Sequence, residues 1–227
     1  MPEAPAHSTL RRPLLGLGLL VIAALVLLLS AFTLLARGTF TSTSLTTTLS
    51  DGWVAIGVRA PESAGGVATM LPVGGARGGR EPVRSTAIDA ALAINDGNGL
   101  SQAAADVTHR TMAGAVILDR LALAALVDVV GGVNVPVTTA LRVPRVDGAV
   151  DTITPGRRTL DGIAAAQYAL VDPTGADLYR TVMAILPGLP RNHDQLVGVV
   201  RSLGMSMRAT ASEATVVQWV EDWQGRL

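Results

Sequence analysis

The chain has no cysteine in its 227 residues. Disulfides, thiolate nucleophiles and cysteine-ligated metals are thereby excluded, and any folded domain must be held by burial alone. Lysine is absent too. All 18 basic residues are arginine, and 18 acidic residues balance them to a formal net charge of +0. No global field draws such a chain to nucleic acid, and no basic helix stands out, so no nucleic-acid partner is expected. Aromatic residues make up 3%, so the core must be built from Val, Leu, Ile and Ala. There is no Gly-x-Ser-x-Gly elbow, no Ser-x-x-Lys and no P-loop. The histidines, His7, His109 and His193, have no second ligand at metal spacing.

One long apolar run is present. Leu14 to Ala36 carries no charge and is long enough to cross a bilayer as a single helix. A secretory signal has a shorter apolar core and ends at a small-residue cleavage site, which Leu34-Leu35-Ala36-Arg37 does not resemble. Arg11 and Arg12 precede the run and only Arg37 follows it closely, so the basic side stays in the cytoplasm and the chain leaves it. The expected organisation is a cytoplasmic tail over 1–13, an anchor over 14–36, a Ser/Thr-rich stalk over 37–49 and an extracytoplasmic domain over 50–227. That domain is long enough for one real core and short for two. The expected localisation is the cell membrane, single-pass, with the membrane itself as a partner.

Within the domain, alternation predicts a strand at Trp53–Val58 and a hairpin partner at Val67–Leu71 stopped by Pro72. A Gly- and Arg-rich loop fills 74–84. Helical patterns follow at Ile88–Ile94 and Leu100–Met112, then a short buried strand at Ala115–Leu118. Asp119 is placed to cap a helix that carries Leu123, Leu126 and Val127 on one face and ends at Gly131-Gly132. Val133–Val137 reads as a strand, with Pro136 placing it at an edge or at its end, and a polar stretch runs on to Pro155. Helices close the chain, with caps at Asp161, Asn192 and Ser212. Strands mixed with helices indicate an α/β or α+β sandwich, a mixed sheet flanked by helices.

Few residues announce chemistry. Asp51, Asp172 and Asp177 lie near the ends of predicted elements, where hard cations are often held but where capping and turns use Asp more commonly. In the segment Gly74 to Arg80, Arg77 and Arg80 could meet a pyrophosphate, though no strand–loop–helix context supports a phosphate cradle.

The order of segments is informative. Leu123, Leu126, Val127, Asp128, Gly131, Gly132, Val133 and Val135 fall in a pattern that resembles the strand–helix–strand core of the LytR-CpsA-Psr family. Gly156-Arg157-Arg158-Thr159-Leu160-Asp161-Gly162 with Ala165 and Tyr168 resembles its next hallmark, as does Asp177 followed by Arg180. Ser50 to Pro61 resembles a strand of the family's hairpin, and the likeness spans most of Ser50 to Arg208. The resemblance implies a single anchor and an extracytoplasmic domain that transfers glycopolymers from a polyprenyl-pyrophosphate carrier to the cell wall. It also implies aspartates for a magnesium ion and arginines for the pyrophosphate, where they neutralise charge on the leaving group.

The chain departs from that pattern where the chemistry should be. Asp51 falls on one metal position, but Leu71-Pro72-Val73-Gly74 stands where the family has Ile-Pro-Arg-Asp. Leu170 and Asp172 occupy the places of an Arg-x-Arg pair. Asp177 and Arg180 persist, while Met183 and Ala184 replace an Arg and a Gln. Losing one transition-state contact typically costs about two to three orders of magnitude in rate. Three readings follow: a degenerate member that binds polyprenyl-(pyro)phosphate-linked precursors or partners, a divergent transferase using Asp51, Asp177 and Arg180, or a membrane-anchored interaction domain. No cofactor is expected in the first and third; magnesium belongs to the second. The topology has a direct check. A reporter active only in the cytoplasm, fused after Leu227, is expected to stay silent, and activity there would overturn the orientation.

Overall fold

The computed structural model describes residues 51–60, 65–77, 82–144 and 148–227. The tail, anchor and stalk lie outside them. Among the described residues no helix is long and apolar enough to cross a membrane.

A five-stranded mixed sheet, ordered β3-β2-β1-β4-β9, forms the centre. β1 (Gly52–Ala60) and β2 (Gly65–Val73) pair antiparallel, with Gly52 opposite Val73 and Gly57 opposite Ala68. β2 runs through Pro72 rather than stopping before it. Trp53, opposite Pro72, donates its N–H to Thr111 on the other side. Pro72 therefore sits at a pair that exchanges no bonds, its missing N–H facing the side where β3 (Pro82–Val83) reaches only Ala68 and Thr69. β4 (Met112–Asp119) lies parallel to β1, and β9 (Met207–Ala209) closes the far edge antiparallel to β4.

Each face of the sheet carries its own core, as the two-residue side-chain period requires. Trp53, Ala55, Met70, Ala115 and Ile117 pack against α1 (Thr86–Ala93) and α2 (Gly97–Thr108). Val54, Ile56, Val58, Leu71, Val116 and Leu118 face α3 (Arg120–Val129), α4 (Gly162–Ala169), α5 (Ala176–Ile185), α6 (His193–Ser202) and α7 (Glu213–Gly225). The fold is thus α+β with a mixed sheet flanked by helices, as the sequence predicts.

Several elements differ from expectation. The stretch to Pro155 contains a hairpin of β6 (Leu141–Pro144) and β7 (Val150–Ile153), and β8 (Gly156–Leu160) pairs with β5 (Val133–Val137). α2 stops at Thr108 because His109 turns left-handed at φ 53°. Asp161, Asn192 and Ser212 cap as expected, accepting the N–H of Ala164, Gln195 and Thr215. Asp119 occupies the cap position of α3 but makes no capping bond.

The hallmark segments act as joints. Gly162 opens α4 so close to α3 that a Cβ there would stand 2.3 Å from the Ala124 carbonyl oxygen. The Gly162 N–H donates to Asp128 Oδ1 at 2.9 Å. Gly131 and Gly132, at φ 78° and 98°, then turn the chain out of α3 into β5. On α3, Leu123 and Val127 are fully buried, while Leu126 is half-buried against the same core. Leu123→Ala should therefore cost about 2–5 kcal/mol and Leu126→Ala distinctly less. Denaturant unfolding of both variants checks the ranking; equal losses would contradict it.

Candidate functional site

Two charged constellations flank the sheet, at opposite ends. The first gathers where β1 and β4 finish. Their parallel register sets Arg59 beside Asp119, and Arg59 Nε meets Asp119 Oδ1 at 2.9 Å. The carboxyl ends of parallel strands are a usual ligand crevice in α/β sheets. α5 begins over the neighbouring part of β2. Its cap, Gly175, is left-handed at φ 73°, and a Cβ there would lie 2.0 Å from the Ala68 oxygen. Only glycine permits that contact.

The approach fixes Asp177 in the first turn of α5, where the helix dipole favours a carboxylate. Asp177 is buried and pairs with Arg180 one turn on. Tyr168 of α4 packs beside them, and its hydroxyl donates to the Pro136 carbonyl at 2.9 Å. Burial, then the hydrogen bond and charge of Asp177, push its phenol up to about 12, with Arg180 pulling the other way. Burial by itself would lower the Arg180 guanidinium, but its bonds to Tyr168 and Asp177 outweigh that and raise it.

The second constellation holds Asp51, just before β1. Gly75 N–H donates to Asp51 Oδ1 at 2.5 Å, and Gly74 N–H donates to Asp222 Oδ2 at 3.2 Å. The last turn of α7 closes over both. Arg226 bonds Asp222 Oδ2 at 2.6 Å, the Ala76 carbonyl at 3.2 Å and the Gly74 carbonyl. Trp223 Nε1 donates to the Pro72 carbonyl at 2.8 Å.

Of the sequence candidates, the structure brings Asp177 and Arg180 together and leaves Asp51 apart. Asp51 borders the Gly52–Val73 pair, whereas Gly175 rests on Ala68, five residues away along β2. That is about 16 Å of strand, too far for a shared ion. Arg77 is exposed in the loop after β2, and Arg80 lies outside the described residues. Asp172 accepts the N–H and hydroxyl of Thr174 at 2.9 and 2.8 Å, forming a local turn. Leu170 and Met183 pack against the core instead of presenting charge. Arg59 and Asp119 were not legible as a pair, because the parallel register joins positions 60 apart in sequence.

Magnesium does not fit these residues. It needs several oxygens in near-octahedral array. Among the described residues no group of three or more His, Asp or Glu is placed to hold a metal ion. Asp177 is engaged by Arg180, and Asp51 by the Gly75 N–H.

Between the sheet and helices α3, α5, α6 and α7 lies a partly open cavity of about 90 Å³ lined wholly by apolar side chains. A 150 Å³ cavity accepts benzene.

No family model matches the chain, and no curated protein matches its sequence. Solved structures match its fold. TagV of B. subtilis is similar over 77% of this chain and 80% of that one, with a TM-score of 0.55 and 11% identity. A protein from Streptococcus agalactiae matches over 77% and 74%, with a TM-score of 0.56 and 9% identity. The fold is that of the LytR-CpsA-Psr proteins. A transcriptional regulator from Enterococcus faecalis also matches, over 77% and 73%, with a TM-score of 0.50 and 14% identity. At such identities the likeness is one of fold alone.

The core packs Tyr168 against a buried carboxylate, which links stability to high pH. A phenol raised from its ordinary 10.0 to about 12 keeps its proton better folded than unfolded. Its contribution is complete below pH 10 and is lost as pH climbs from 10 towards 12. Ultraviolet titration should show one late phenolate, and Tyr168→Phe should remove it and flatten the loss of stability in that window. A Tyr168 that ionises near 10 would refute the buried contact.

Proposed function

We propose that this is a membrane-anchored, extracytoplasmic protein of cell-envelope biogenesis that binds envelope glycopolymer or a partner protein and does not catalyse glycopolymer transfer. The observation that carries the reading is that three carboxylates at the ends of the sheet are closed into internal ion pairs. Asp177 is neutralised by Arg180, Asp119 by Arg59, and Asp222 by Arg226. A transferase needs such groups aimed at a developing charge on substrate, already oriented and not held in internal pairs.

Localisation outside the membrane rests on the Leu14–Ala36 run and the arginines before it. The LytR-CpsA-Psr fold supports a place in cell-wall work, the setting in which the resemblance puts such domains. A transcriptional role draws no support from a neutral chain without a recognition helix.

Lipid-linked precursors remain within the proposal through their sugar or phosphate end. Arg180 keeps 37% of its side chain exposed, so a headgroup has a cation to meet. The competing transferase reading keeps Asp51, Asp177 and Arg180 as its site.

The deciding assay is release of phosphate from a polyprenyl-pyrophosphate glycopolymer with and without magnesium. No magnesium-dependent turnover is expected from the full chain. Clear turnover that Asp51→Ala or Asp177→Ala abolishes would overturn the proposal in favour of the transferase.

A further inference from the structure

β8 is the outer strand of its pair, and its far edge is bare. Its partner β5 is covered. Val133, Val135 and Val137 are buried, and the Pro136 carbonyl accepts the Tyr168 hydroxyl at 2.9 Å. In β8, by contrast, Gly156, Arg157, Arg158 and Thr159 are all exposed. Among the described residues no strand lies on the other side of it.

Pro136 fixes which way the backbone of β8 points. In an antiparallel pair a residue turns its N–H and C=O to the same side, and successive residues alternate. The Pro136 carbonyl turns to Tyr168, so Pro136 and Arg157, which stand opposite, exchange no bonds. By alternation Val135 and Arg158 do, and Asn134 and Thr159 do not. Arg157 and Thr159 therefore turn both their N–H and both their C=O groups away from β5, towards solvent. Among the described residues none of these groups meets a partner.

The side chains select what can pair there. Among the described residues Arg157 makes no ion pair. Arg158 lies along the strand, donating to the Thr154 and Pro155 carbonyls at 3.0 and 3.3 Å and to the Thr154 hydroxyl, oxygens that leave its charge uncompensated. Asp161, the next carboxylate along the chain, is engaged in capping α4. Adjacent cations on a free edge oppose a second copy of this chain. The antiparallel register that would engage Arg157 and Thr159 of both copies sets Arg158 against the same residue of the other. The same cations favour a strand with carboxylates opposite them.

We propose that the free edge of β8 is a docking site for a partner protein, which adds an extended segment as a further strand with acidic side chains opposite Arg157 and Arg158. Main-chain bonds at Arg157 and Thr159 attach the segment, and the guanidiniums select it. This rests on the reading above that the protein binds a partner and does not catalyse transfer.

The test is amide hydrogen exchange, resolved by residue, on the full chain in detergent. The probe is a short blocked peptide of valine and threonine with adjacent glutamates at its centre; the control carries lysines in their place. In the free protein the amides of Arg157 and Thr159 should exchange fast, and those of Arg158 and Leu160, which point at β5, slowly. Millimolar glutamate peptide should slow Arg157 and Thr159 several-fold, and the lysine peptide should not. Thr159→Pro removes an outward N–H and spares the bonds to β5. It should weaken binding of the glutamate peptide several-fold while Arg158 and Leu160 stay slow. Arg157→Glu/Arg158→Glu should reverse the preference, so that the lysine peptide binds.

Arg157 and Thr159 amides that are already slow in the free protein would mean a covered edge and overturn the proposal. So would glutamate peptide that leaves them fast, or lysine peptide that slows them equally. Thr159→Pro binding as tightly as the wild type would overturn strand addition, because charge alone then holds the peptide. If that variant frees Arg158 and Leu160, its strand has come apart and the charge reversal decides: no switch to the lysine peptide overturns the docking site. Poly(glycerol phosphate) that slows the same amides would give the edge to an anionic glycopolymer and overturn the protein partner. Polyprenyl-pyrophosphate turnover by the wild type would instead overturn the functional reading, whatever the exchange shows.

Discussion

The contact between Gly175 and Ala68 governs most of what the charged end of this molecule can do. A Cβ at Gly175 would sit 2.0 Å from the Ala68 oxygen, so the helix starts as near to the sheet as backbone allows. That nearness buries Asp177. A buried carboxylate needs a partner, and Arg180, three residues later on the same helix, supplies it. Tyr168 is then held between the pair and the Pro136 carbonyl, which ties α5, α4 and β5 into one unit. One glycine thus sets how Asp177 and Arg180 are packed into the fold. The same logic applies at Gly162, whose missing side chain lets α3 and α4 touch and whose N–H occupies Asp128.

Local signals in the chain were readable where local physics decides. The caps at Asp161, Asn192 and Ser212 form because an Asx or Ser oxygen reaches the N–H three residues on whatever surrounds it. The β1–β2 hairpin and the α3 face follow from apolar period. The hidden elements are those whose residues face solvent. β7 and most of β8 are exposed, so no apolar alternation marks them, and β9 is three residues long. Asp119 shows the limit from the other side. Sequence makes it a cap, but a parallel strand brings Arg59 to it, and a charged partner outcompetes the helix N–H groups.

The site was legible in part, for a related reason. Asp177 and Arg180 lie on one helix, so their spacing alone predicts that they meet. Asp51 was joined to them only through the resemblance, and the resemblance concerns order along the chain. The strand register puts Asp51 at the far end of the sheet, where Gly74 and Gly75 wrap its carboxylate closely enough that a Cβ at either would meet it within 2.9 Å. There it steadies the turn after β2.

The side chains at Leu170 and Met183 bear on how the helices pack. Leu170 and Met183, at positions where the resemblance calls for arginine, pack against the larger core instead. A guanidinium there would need water or an anion beside it, and the helices would have to stand away from the sheet. Leucine and methionine make no such demand and pack with α4 and α5 against the core. An arginine at either position would therefore have to bring its own anion or water into contact with that core, so the apolar side chains favour close packing of α4 and α5 over a charged rim.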